Sequence, residues 1–191
     1  MVAWQGGFRT ALPRLTLALL TLQYTKVEPF TYTHYDATLP MYTNPVSMSY
    51  ANDSENLGYH LPPNSDELLV AVDWLALPRS RYQLRYQLIR HGDHPSQGAD
   101  AAVIHGDIDK PFDWDLASSY PDKDFLDDGL YDWNNVLTVS GSWDLRDAPV
   151  RLSASATVAR TSWDANDSGE TAPPARWSVI AGFGVEVFRR R

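Results

Sequence analysis

The chain has 191 residues, with 24 acidic against 16 basic side chains, a formal charge of −8 and no cysteine. That length allows one domain, or two small ones, with a real core. The missing cysteine excludes a disulfide scaffold and a thiolate zinc site, and the excess of acid argues against nucleic acid as the main partner. No apolar run approaches the roughly 18 residues of a transmembrane helix. The longest, 15–22, reads LTLALLTL, and the opening MVAWQGGFRT lacks the apolar stretch of a signal peptide.

Seven segments alternate apolar and polar residues with a period of two, and none carries a helical period. The first two are residues 2–9 and the longer, more weakly alternating 15–32. In 68–76, Leu68, Val70, Val72, Trp74 and Ala76 share one face. In 81–88, Tyr82, Leu84, Tyr86 and Leu88 oppose Arg81, Gln83, Arg85 and Gln87. Residues 133–143 set Trp133, Leu137, Val139 and Trp143 against Asn134, Thr138, Ser140 and Ser142. Residues 150–158 set Val150, Leu152, Ala154, Ala156 and Val158 against Arg151, Ser153, Ser155 and Thr157. The last, 177–187, sets Trp177, Val179, Ala181, Phe183, Val185 and Val187 against Ser178, Gly182, Gly184 and Glu186. Side chains on a strand point alternately to opposite faces, so each segment has one apolar and one polar face. Most run about 9 to 13 residues, the length of a tilted membrane-spanning strand.

The connections alternate strictly between short and long. Thr10-Ala11-Leu12-Pro13, Leu77-Pro78-Arg79-Ser80 and Leu145-Arg146-Asp147-Ala148-Pro149 each hold a proline, which sets a turn and cannot donate to a ladder. The long connections span roughly 34–66, 92–132 and 163–175. All long loops therefore fall at one end, as in outer-membrane barrels with short periplasmic turns and long extracellular loops. Trp4, Trp74, Trp133, Trp143 and Trp177 stand near strand ends on the apolar face, where indole suits a membrane–water interface. The expected fold is an all-β, antiparallel, up-and-down transmembrane β-barrel with seven or eight strands in this chain. Single-chain barrels have even strand numbers and both termini periplasmic. Seven strands then make residues 1–191 the C-terminal portion of one larger barrel domain, unless an eighth strand lies within 47–60.

Residues 92–132 hold eleven Asp and two Lys, a charge of −9, which leaves +1 for the rest of the chain. Asp107, Asp109, Asp113 and Asp115 offer oxygen ligands of the kind Ca²⁺ takes. Their spacing matches no EF-hand, and a solvated anionic loop is the other reading. Trp114, Tyr120, Tyr131 and Trp133 offer flat faces for sugar rings, or else pack the loop and the interface. His34, His60, His91, His94 and His105 all fall on the long-loop side, and His91-Gly92-Asp93-His94 fits no strong metal pattern. There is no GxSxG, HExxH or P-loop signature, so no enzyme chemistry is expected.

One ordered set of motifs runs from Tyr24 to Leu68. Tyr24-Thr25-Lys26-Val27-Glu28-Pro29-Phe30-Thr31-Tyr32-Thr33-His34 comes first, Tyr42-Thr43-Asn44 follows, then Leu57-Gly58-Tyr59-His60-Leu61-Pro62-Pro63-Asn64-Ser65-Asp66-Glu67-Leu68. This order resembles the capsule-assembly Wzi family of outer-membrane β-barrels. The resemblance implies a large barrel in the bacterial outer membrane that holds extracellular polysaccharide as a lectin does, without catalysis or a required cofactor. It assigns Pro29, Tyr32, His34, Tyr42, Asn44, Gly58, Pro63, Asn64 and Asp66 to a motif loop that caps the barrel mouth or touches ligand. Partners would be the outer-membrane lipid bilayer and a surface polysaccharide, with no nucleic acid. Two other readings stand beside it: a porin-type diffusion channel, and a soluble β-sandwich or lipocalin-like binder.

Overall fold

The structure is a computed structural model that describes residues 2–28, 31, 51–52, 55–56, 60–94, 125–126, 130–146, 148–165 and 171–188. It is all-β, with no helix among the described residues. The strands are β1 (Ala3–Ala11), β2 (Ala18–Val27), β3 (Ala51–Asn52), β4 (Glu55–Asn56), β5 (Ser65–Leu77), β6 (Ser80–His94), β7 (Leu130–Asp144), β8 (Val150–Ala165) and β9 (Arg176–Val187). Seven of them form one sheet in the order β1-β2-β5-β6-β7-β8-β9, every pair antiparallel. The sheet is open, with β1 and β9 as its edges. β3 and β4 pair only with each other, so the stretch 47–60 adds no described strand to the main sheet.

Period-two patterning locates every strand of the main sheet, but pairing sets the ends. The long second segment shrinks to β2. Before it, the Leu12 N–H donates to the Ala18 carbonyl (3.0 Å) and the Leu15 N–H to Leu12 (3.1 Å), with Leu17 at φ 57°. Leu15 to Leu17 therefore belong to the turn and not to the strand. After it, the Glu28 carbonyl accepts from both the Thr31 N–H and the Thr31 hydroxyl. The strands β5 to β8 instead outrun their alternating cores, because a partner carries the ladder onward through His94, Leu130 and Ala165.

Pro78 and Arg79 close the tightest turn. Proline fixes φ at the first central position, and Arg79 takes φ 75° at the second. That is the type II arrangement, which usually places glycine there. The Ser80 hydroxyl completes it by bonding the Leu77 backbone.

Candidate functional site

Directly paired residues of an antiparallel sheet share a face, so the register gives each face row by row. One face carries the row Phe8, Leu22, Val70, Tyr86, Leu137, Val158, Val179. The next row on that face is Thr10, Leu20, Val72, Leu84, Val139, Ala156, Ala181. The opposite face carries Arg9, Thr21, Ala71, Arg85, Thr138, Thr157, Ile180. It continues with Ala11, Leu19, Asp73, Gln83, Ser140, Ser155, Gly182. The apolar face is not a buried core. On the interior strand β7, Val139 is 51% exposed, and Phe183 on the edge strand β9 is 73% exposed.

Both edges of this apolar band are aromatic. At the short-turn end the Trp74, Tyr82 and Trp143 rings form a chain with centroids 5.9 and 5.8 Å apart. The Trp143 indole N–H donates to the Tyr82 hydroxyl (2.9 Å). Gly141 makes this possible, since a Cβ there would lie 3.0 Å from the Trp143 ring. At the long-loop end stand Trp4, Tyr24, Trp133 and Trp177. Here they are joined by cations: Arg90 over Trp133 (5.3 Å) and Arg160 over Trp177 (5.8 Å). Ten residues of β7 separate Trp133 from Trp143, about 34 Å along the strand.

The band runs obliquely to the strands. Its lower edge is Trp74 on β5 but Val187 on β9, two rows further toward the short turns. On β7 and β8 its upper edge shifts the same way, from Leu68 and Leu88 to Leu137 and Val158, whereas on β9 Trp177 stands in the row of Leu68 and Leu88. Four strand spacings are about 19 Å and four residues about 13 Å. The lower edge of the band thus slopes at roughly 35°, within the tilt of barrel strands to the membrane. Corrected for that tilt, the 34 Å between tryptophans becomes about 28 Å, near the ~25 Å apolar band of such barrels. Beyond Trp143, outside the band, the Arg151 guanidinium bonds Asp144 (2.6 Å) and holds its carboxyl below the usual carboxylate range.

The buried residues gather at the long-loop end and are mainly polar: Thr25, Thr31, Asn64, Ser65, Asp66, Glu67 and Asp132, with Val27, Leu61 and Leu126. Asn64 anchors the segment entering β5. Its φ of 57° is one asparagine tolerates. Its carbonyl accepts the Gly92 N–H (3.0 Å), and its side-chain oxygen accepts the Leu126 N–H (2.9 Å). Gly92 has to be glycine, because a Cβ would meet Asn64 Nδ2 at 2.5 Å. Asp66 accepts from the Tyr24 hydroxyl (2.7 Å), from Arg90 Nε (2.9 Å) and from a second Arg90 nitrogen. On the other face, Glu67, 1% exposed, accepts from Gln87, and His60 Nε2 lies 3.6 Å away.

Of the motif residues, Pro63, Asn64 and Asp66 fall in this buried segment, while Pro29, Tyr32, His34, Tyr42, Asn44 and Gly58 lie outside the described residues. Of the aromatic candidates, Tyr131 and Trp133 lie on β7 with rings 6.0 Å apart. Trp114 and Tyr120 lie outside the described residues, as do Asp107, Asp109, Asp113 and Asp115. Among the described residues no three His, Asp or Glu side chains group as a metal site. The structure brings the two sets together through Arg90, which bonds Asp66 and covers the Trp133 ring; the Trp133 N–H is bonded to Asp164 (2.8 Å). Tyr24 and Glu67 stand within the quoted motifs but, like Gln87 and Arg90, are not among the site residues named from the sequence. Arg90 did leave a signal, as the first charge met when the apolar alternation of 82–88 is followed outward. Comparison with protein-family models, with curated proteins and with solved structures finds no match.

Proposed function

We propose that this chain is part of a bacterial outer-membrane β-barrel of the capsule-assembly Wzi type, which holds surface polysaccharide by binding and without catalysis. The sloping apolar band with an aromatic row at each edge carries the reading. Its height, its slope and its exposure are those lipid requires, and in water each exposed aliphatic side chain would forgo burial favourable by ~1.5–3 kcal/mol. In this reading β1 and β9 meet further strands of a larger barrel, the three short turns face the periplasm and the long loops face outward. The buried Pro63-to-Glu67 segment supports the family part, because the motif residues described there are bound into the mouth of the sheet. A diffusion channel is the second reading, favoured by the small Ser and Gly side chains on the polar faces of β7, β8 and β9.

Detergent dependence with heat-modifiable gel mobility tests the barrel. A protein that stays monomeric and soluble without detergent overturns it and leaves the soluble binder. Conductance in planar bilayers distinguishes the channel from the lectin, and retention on immobilised capsular polysaccharide is the expected outcome for the lectin.

A further inference from the structure

The three short turns share a chemistry that the reading above does not use. The first holds Leu12-Pro13-Arg14, the second Leu77-Pro78-Arg79 and the third Leu145-Arg146. Proline sets the first two turns, but turn geometry asks for no arginine after it. Arg79 even takes φ 75°, where glycine is usual. Arg14 and Arg79 are exposed, and neither forms an ion pair among the described residues. Leu15 and Leu145 are exposed beside them. Exposed leucine next to cations suits a surface seated where headgroups meet acyl chains.

These arginines stand just outside the apolar band. The Asp144 N–H donates to the Arg79 carbonyl (2.8 Å), so Arg79 lies level with the residue after Trp143. Its guanidinium donates to the Arg146 carbonyl (3.1 Å) and joins two neighbouring turns. Interfacial tryptophan marks headgroup level, and a long guanidinium stem one residue further out reaches the phosphates. The whole end is basic. Its turns carry Arg14, Arg79 and Arg146 against Asp147, and the sequence continues from β9 as Arg189-Arg190-Arg191. Arg151, held by Asp144 (2.6 Å) and Glu186 (3.6 Å), leaves one acid over. Further in, Arg9 (3.3 Å) and Arg81 (3.1 Å) share Asp73 and leave one cation over. Those two groups cancel, so six cations against one anion give +5 here, whereas the connection 92–132 at the opposite end carries −9.

We propose that the short-turn end is a basic collar that gathers anionic phospholipid, of the phosphatidylglycerol type, in its own leaflet. The lipid phosphates lie against Arg14 and Arg79, and the upper acyl chains against Leu15 and Leu145. Charge attracts across a Debye length, about 8 Å at physiological salt, so a guanidinium need not point outward from a wall one strand thick. The inference rests on the barrel reading for the presence of lipid. The preference for a negative headgroup rests on the charge of this end alone.

Tryptophan fluorescence of the full chain in phosphatidylcholine vesicles tests it, with brominated phosphatidylglycerol or brominated phosphatidylcholine added in equal amount. Brominated chains quench the tryptophans they touch, and Trp74 and Trp143 stand at the collar. Phosphatidylglycerol is expected to quench more strongly, with a relative binding constant about twofold or more above that of phosphatidylcholine. The preference should fall toward one at about 1 M salt, where the Debye length is ~3 Å. Arg14→Gln combined with Arg79→Gln should remove most of it, and the two Lys substitutions should keep it, because the field needs the charge and not the guanidinium. Arg160→Gln, at the long-loop end, should leave it in place, and heat-modifiable mobility verifies that each variant is folded. Equal quenching by the two lipids overturns the collar while leaving the barrel reading intact. So does a preference that survives the double Gln variant, or one that Arg160→Gln lowers as much. Absence of quenching by either lipid overturns the barrel reading itself, and the collar with it.

Discussion

The middle of the sheet and its long-loop end are built by opposite rules. In the middle, Leu84, Leu137, Val139 and Val179 stand exposed. At the long-loop end, Asn64, Ser65, Asp66 and Glu67 are buried. The end region satisfies the Asp66 and Glu67 carboxylates and the Asn64 side-chain oxygen internally, through Tyr24, Arg90, Gln87 and Leu126. The middle has no such internal solution and depends on the solvent it meets. One region is therefore held by bonds within the chain and the other by its surroundings.

The largest effect should come from breaking the internal solution. Arg90→Leu leaves the Asp66 carboxylate buried with only Tyr24, and a destabilisation of about 3–5 kcal/mol is expected, measured by urea unfolding in detergent. In a double-mutant cycle with Asp66→Leu, the pair should cost clearly less than the two single changes added together. Next comes a contrast one residue apart on β7. Val139→Arg on the apolar face should cost about 2–4 kcal/mol in a bilayer, whereas Thr138→Arg on the polar face should be close to neutral. Equal effects would mean that the apolar face does not meet lipid.

Smaller again is Gly141→Ala, expected at about 1–2 kcal/mol because the Trp143 ring must leave its place over the glycine. A change in near-UV circular dichroism would report that shift. The smallest concerns Asp144. Its carboxyl is depressed by Arg151, so its contribution is full above the ordinary carboxylate range near pH ~4 and is lost as pH falls through its lowered folded value. Asp144→Asn should thus differ from the parent at pH 7 and converge on it as pH falls through that lowered value.

Alternation made the seven strands, their order along the chain and their two faces legible. Tyr82, Leu84, Tyr86 and Leu88 already fix one face of β6 before any partner is known. The slope of the band was not legible, because it belongs to the register between strands, and sequence spacing says nothing of how Trp74 aligns with Val187. Strand ends were blurred for the same reason: Leu15 and Leu17 continue an apolar pattern yet lie in a turn. At the site, Pro63, Asn64 and Asp66 were visible as members of a motif loop. Its burial was not, since it depends on Gly92 and Leu126 arriving from distant positions. The cluster of Arg9, Arg81 and Asp73 likewise needs three strands side by side.

The two bare edges of the sheet have a consequence for handling the protein. Among the described residues, β1 and β9 each present an unpaired row of backbone N–H and C=O groups, and β9 adds Val179, Phe183, Val185 and Val187 beside that row. Such an edge is a template for any strand that reaches it. Without other strands to cap the edges, copies of this chain in water will pair with one another, so the same backbone that builds the sheet drives self-association and insoluble deposition. Denaturant followed by rapid transfer into detergent is then the route that favours the native partner over the neighbouring copy.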